Sequence, residues 1–266
     1  MGQPTTSQLH PVNVLLTEFG IRYRQEQTNY IFDKVFPFIP VSKRSNRYNI
    51  WTKGDWFRDE AALRTGNAES AGSGYTTSTD TYNCDVFAIH KDVDYQSRAT
   101  ADEIFDLDRE ASEFVTDRLL LRQEIQWVTD FFASSIWATD VTPTNLWSDY
   151  TASDPAADVD TGKQTILTNT GKEPNTLVLG YVTGKILKRH PDIKAQFGLP
   201  LGSSQMVGEA QLAAYLGVQP VLIAKSIVNS GREGESNSFA FNHGKHALLC
   251  YVAPNVGPAT ATAGVT

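Results

Sequence analysis

From Ala101 to Trp137 the chain contains neither Gly nor Pro, and the stretch TADEIFDLDREASEFVTDRLLLRQEIQWVTDFFASSIW that begins at Thr100 reads as one long helix. Thr100 is placed as its N-cap, with Glu103 at capping-box spacing and Asp102 and Asp106 near the positive end of the helix dipole. Ile104, Leu107, Ala111, Phe114, Leu121, Ile125, Val128 and Phe132 recur at three- and four-residue steps and form one stripe, interrupted only by Arg118. A spine of this kind, 100–137, extends roughly 50 Å, whereas helices average about 11–12 residues. It therefore needs a sheet or helix along its seam, with Ile104, Phe114, Leu121, Ile125 and Val128 as expected core. Its Asp and Glu residues read as a solvated face rather than as catalytic carboxylates.

What precedes the spine supplies extended structure. Residues 1 to about 33 are polar at first, with Pro4 and Pro11, then carry apolar anchors such as Leu15 and Phe19 without a sustained period. Such a segment suits an arm lying on another surface. Tyr30 to Pro40 is apolar and broken by Pro37 and Pro40, as in a short edge strand or the entry to a sheet. Tyr48, Ile50 and Thr52 then alternate with Arg47, Asn49, Trp51 and Lys53, and Tyr82, Cys84, Val86 and Ala88 alternate with Asn83, Asp85, Phe87 and Ile89. Between these flanks, 64–74 is rich in Gly and Ser, so a two-stranded ribbon with a pliant tip is expected. A lone ribbon is barely stable in water. Trp51, Trp56, Phe57 and Tyr75 on it thus call for a covering surface.

After the spine, an Asp-, Thr- and Pro-rich loop at 138–155 marks a boundary. Helices are expected at 156–170, stopped by Gly171, at 181–189, halted before Pro191, and at 209–216, stopped by Gly217. Strands are expected at 176–180, 218–224, 239–241 and 246–252, which makes the second half compact and mixed α and β.

The chain has 266 residues, with 23 Lys and Arg against 30 Asp and Glu, for a formal charge of −7. That balance disfavours a broad nucleic-acid-binding face. No apolar run is long enough to span a bilayer, and the N-terminus lacks the order of a signal peptide, so synthesis in the cytoplasm is expected, with no membrane partner. The two cysteines, Cys84 and Cys250, show no CxxC and read as reduced, buried thiols. His243, His246 and Cys250 lie close in sequence but lack a second cluster that would complete a zinc site. Thr161-Gly162-Lys163 and Thr170-Gly171-Lys172 lack the leading glycine of a phosphate loop, and GLPLGSS at 198–204 lacks the order of a nucleophile elbow. No catalytic constellation, cofactor site or metal site is found, which argues against an enzyme.

The order of these pieces resembles a major capsid protein of tailed bacteriophages, the Hong Kong 97 phage fold. The resemblance is carried by the segments VFPFIPV (35–41), DVFAIHKDVD (85–94), LLLRQE within the spine, LW (146–147), SDP (153–155), TGKEPNTLV (170–178), LKRHP (187–191) and LAAYLG leading into VLIA (212–224). It covers about residues 30 to 253. It implies an α+β chain with an N-terminal arm at 1–32 and a peripheral domain at 33–155, which holds an extended loop at about 41–92 and the spine helix. An axial domain follows at 156–240, and 241–266 returns to the peripheral domain and ends as a tail.

Members of this family usually continue beyond the 251–254 region, so the resemblance implies either a further C-terminal segment or a sheet completed differently. It also implies a separate scaffolding protein or none, because no long helical extension precedes the arm. The implied role is a structural shell subunit in the virion. Hexamers and pentamers of the chain would enclose double-stranded DNA that they touch without reading its sequence, with scaffolding, portal and decoration proteins as further partners. The subunit-contact residues would be Trp51, Trp56, Phe57, Tyr75, Leu15 and Phe19. An encapsulin-like cellular shell around enzyme cargo, or a cytoplasmic α/β enzyme, are the alternatives.

Overall fold

The computed structural model describes residues 24–100, 106–200, 205–255 and 260–265. Its centre is a three-stranded sheet of β3 (Thr176–Gly180), flanked by β4 (Val221–Ala224) in parallel and β7 (Ala247–Cys250) antiparallel. Every residue of β3 is buried. Because side chains alternate across a strand, Leu177 and Leu179 enter one core while Val178 enters another. The sheet is thus a wall with cores on both faces.

On the first face lie α5 (Pro155–Thr170), α6 (Tyr181–Arg189), α7 (Pro191–Gln196) and α8 (Glu209–Leu216), through Val159, Leu187, Ile193, Leu212 and Leu216. Their ends follow local chemistry. Asp154 caps α5, accepting from the N–H groups of Ala156 and Ala157 at 3.1 Å, and Pro155 occupies the first turn, where no N–H is needed. Gly171 and Gly217 close α5 and α8 with φ of 66° and 61°, conformations that suit glycine. These helices match the sequence expectation, and Pro191, expected only to stop α6, also opens α7. The flanking strands β4 and β7 are shorter than expected.

The second face is covered by the segment from Arg24 to Phe36 and by α4 (Leu107–Phe131, 25 residues). Tyr30, Ile31, Phe32, Val35 and Phe36 are buried here against Trp127, Val178, Ala224 and Leu248. The segment expected as an edge strand contains instead the short helix α1 (Phe32–Val35).

The spine departs from expectation in three ways. It starts at Asp106, whose carboxylate accepts from the Arg109 N–H at 3.0 Å, while Thr100 is the last residue of a separate helix, α3 (Tyr95–Thr100). It ends at Phe131 rather than at Trp137, where the chain turns and the Trp137 indole donates to the Phe131 carbonyl at 2.7 Å. Its buried line is also rotated. Ala111, Glu124 and Trp127 are buried, with Leu120, Leu121, Val128, Phe131 and Phe132 half-buried beside them. Phe114, expected in the core, is 40% exposed beneath the cations of Lys91 and Arg118. Ile125 is only half-buried, and Ile104 lies outside the described residues. Among the described residues no helix is long and apolar enough to cross a membrane.

Candidate subunit interface

β1 (Ser45–Trp51) and β2 (Thr77–Asn83) pair antiparallel from Ser45 with Asn83 to Trp51 with Thr77. β2 lies earlier in the chain than expected, and 84–94 runs back to the body without strand pairing. Both ends of the ribbon are tied. At the base the Cys84 N–H donates to the Arg44 carbonyl at 2.8 Å, and at the tip the Thr52 N–H donates to the Thr76 carbonyl at 3.1 Å. Between the tip strands sits the one-turn helix α2 (Lys53–Trp56), whose Asp55 accepts from the Thr76 N–H at 2.9 Å and the Thr76 hydroxyl at 2.7 Å. Those bonds hold the Asp55 carboxyl below the usual carboxylate range. Glu60 is lowered likewise by the Ser73 hydroxyl and Arg58.

This well-defined hairpin has no buried face. All seven residues of β1 and all but Tyr82 of β2 are exposed. Trp56, Phe57 and Tyr75 stand 64%, 65% and 63% exposed, and Trp51 is 38% exposed. The Trp56 and Tyr75 rings lie 5.8 Å apart beside a shallow hollow of about 190 Å³, lined also by Asp55, Ser73 and Gly74. Phe57 reaches back to the body, its ring against the backbone of Gly171 at the end of α5. Leu15 and Phe19 lie outside the described residues. The return limb lies on α4 through Phe87, whose ring carries the Arg122 guanidinium at 4.6 Å.

The exposed Trp56, Phe57 and Tyr75 at the ribbon tip are costly to keep in water and belong to residue types enriched at the buried centre of protein interfaces.

Chemistry has little to work with. Glu124, Ser226 and His243 converge, but each is at most 1% exposed, so no substrate reaches them. His190, fully buried, lies 3.1 Å from the Ser153 hydroxyl and 3.6 Å from the Asp192 carboxylate, and burial lowers its pKa. It fastens the loop before α5 to the α6–α7 corner. Among the described residues no three His, Cys, Asp or Glu side chains are placed to hold a metal. Cys84 is exposed rather than buried as expected. Cys250 is buried, with its thiol pushed up to about 12. Glu124 is the residue that the sequence reading missed. It was assigned to a solvated face, yet with Leu120, Trp127 and Phe131 it follows helical spacing along the buried line.

No family model matches the chain. It is 26% identical over 250 residues to the major capsid protein of Pseudomonas phage JBD67, covering 91% of this chain and 77% of that one. The major capsid protein of Burkholderia phage BcepMu is 27% identical over 195 residues, 70% of this chain and 61% of that protein. Among solved structures, a phage-related protein from Bordetella bronchiseptica RB50 superposes with a TM-score of 0.63 at 22% identity, covering 90% of this chain and 77% of the other. The capsid structure of cyanophage P-SCSP1u superposes with a TM-score of 0.51 at 15% identity, covering 89% and 76%. The fold described above is therefore one that phage capsid proteins share.

Proposed function

We propose that this chain is a phage major capsid protein, the repeating subunit of a closed shell. The observation that carries this reading is the alignment of 91% of the chain with a phage major capsid protein. The ribbon supplies the physical reason: its tip aromatics stay exposed among the described residues, and copies of the same chain are the partner that a shell provides. In finer terms the fold is the Hong Kong 97 type. α4 is its spine, about 41–92 its extended loop, 1–32 its arm, 33–155 its peripheral domain and 156–240 its axial domain, with 241–266 returning to the periphery. Trp51, Trp56, Phe57 and Tyr75, with Leu15 and Phe19 on the arm, are the proposed contacts within and between hexamers and pentamers.

The role is structural rather than catalytic, and the protein resides in the virion after synthesis in the host cytoplasm. A net charge of −7 suits an inner wall that lets packed DNA slide, with only weak, salt-sensitive and sequence-independent contact. Scaffolding, portal and decoration proteins are the further partners. Sedimentation of the purified chain tests the reading: megadalton particles or lattice fragments are expected, and a persistent monomer at all concentrations would overturn it.

A further inference from the structure

Three separate parts of the chain meet at one buried carboxylate. Glu124 of α4 accepts from the Ile31 and Phe32 N–H groups through Oε2, both at 3.1 Å, and from the Ser226 hydroxyl through Oε1 at 3.2 Å. Those amides open α1, where the helix itself offers no acceptor. Further polar ties of this arm root, residues 24–36, run to the same two neighbours. The Gln25 side chain pairs with both the N–H and the carbonyl of Ile227 on β5 (Ile227–Asn229), at 2.9 and 2.7 Å, and Arg24 pairs with Asp117 of α4.

His243 stands on the other side of that carboxylate, in the turn between β6 (Phe239–Phe241) and β7. Its Nε2 lies 3.4 Å from Glu124 Oε1 without a hydrogen-bond partner, and its Nδ1 lies 3.5 Å from the Ser226 hydroxyl. The ring is 1% exposed, packed 5.6 Å from Trp127 and edge-on to Phe132 at 5.3 Å. Glu124 Oε1 is thus equally far, 3.4 Å, from the Ile31 nitrogen and from the imidazole.

We infer that Glu124 and His243 form a proton-controlled latch for the arm root: with a neutral imidazole the carboxylate holds the Ile31 and Phe32 amides, and a proton on His243 draws it away and frees them. The direction follows from the burial of both groups. Desolvation lowers His243 from 6.5 to about 4, so its neutral burial stabilises the closed state fully above about pH 6.5, and that contribution is lost as pH falls towards 4. Glu124 works the other way. Burial raises its carboxyl, favouring closure in acid and losing that effect as pH rises, but the three hydrogen bonds it accepts offset part of the shift. The imidazole has only the long Ser226 and Glu124 contacts, and desolvation outweighs them, so acid opens the latch.

The other groups facing the pair do not reverse this. Asp33 and Tyr30 face it from the arm root, and Asp33 also raises Glu124. Cys250 of β7 lies in the same buried cluster as Trp127, as a neutral thiol, and His246 lies beyond Phe132 at 6.4 Å. The latch belongs to the single chain and does not depend on the capsid reading.

Hydrogen exchange on the full, dissociated chain at about pH 7.5 and pH 5, corrected for intrinsic rates, tests it. Protection of the Ile31 and Phe32 amides should fall by at least about tenfold in acid, while α8 stays protected and a His243→Gln chain shows no such fall. Unchanged protection in the wild type, or an acid loss that persists in His243→Gln, would overturn the latch. Should His243→Gln fail to fold, NMR of the wild type decides. A His243 titration sharing its midpoint with the Ile31 and Phe32 amide shifts supports the latch, and separate midpoints refute it.

Discussion

Two β systems of one chain solve the same problem in opposite ways. The β4–β3–β7 sheet is short, yet every residue of β3 is buried between two cores. The β1–β2 ribbon is longer, with seven residues in each strand, complete in its pairing, and bare on both faces. Both are paired along the full length of their shared ladders, so pairing alone does not separate them. The difference lies in side-chain burial, which contributes about 25 cal/mol per Å² of apolar surface. The sheet collects that energy within the chain, whereas the ribbon collects little of it from the described residues.

The comparison breaks most visibly at the sheet. Leu179 is fully buried, so Leu179→Ala should destabilise the dissociated chain by about 2–5 kcal/mol in urea unfolding. A loss below 0.5 kcal/mol, typical of surface sites, would mean that the sheet is not where the single chain's stability lies. Trp56→Ala should do the reverse. At 64% exposure the indole adds little to the isolated fold, so unfolding should shift by no more than about 0.5 kcal/mol. Burial of that ring on a neighbour is worth roughly 2–4 kcal/mol, so shell yield and heat resistance should drop. Normal shells from the mutant would remove Trp56 from the interface.

The smallest effect concerns the contact of Phe57, beside the ribbon tip, with the body at the end of α5. Gly171 has φ of 66° and lies under the Phe57 ring. Gly171→Ala should cost about 1 kcal/mol from the left-handed backbone and displace Phe57, raising its solvent accessibility. A stability change near zero with Phe57 unmoved would show that the contact is loose.

What was legible in the sequence follows the same division. Three helices and the central strand of the second half were legible nearly to the residue, because Gly171, Pro191 and Gly217 are local stop signals that act where they stand, whereas α7 was not expected. The ribbon and its uncovered aromatics were also legible, although β2 was placed too late because alternation continues through 82–89 without a partner strand. The spine was misread for a definite reason. Leu119, Leu120 and Leu121 offer three helical phases at once, and only the distant arm root and sheet choose among them. Glu124 is the sharpest case: a carboxylate reads as solvent-facing until the amides it caps, some 92 and 93 positions earlier, are brought to it by the fold. Domain limits and the contact role of Leu15 and Phe19 rest on resemblance alone.

The central claim, that the ribbon is completed by other copies of the chain, is tested most directly by hydroxyl-radical footprinting of dissociated and assembled protein side by side. Oxidation of Trp56, Phe57 and Tyr75 should fall several-fold on assembly, while the buried peptide 176–180 stays unreactive in both states. Equal oxidation of the three aromatics before and after assembly would contradict the account.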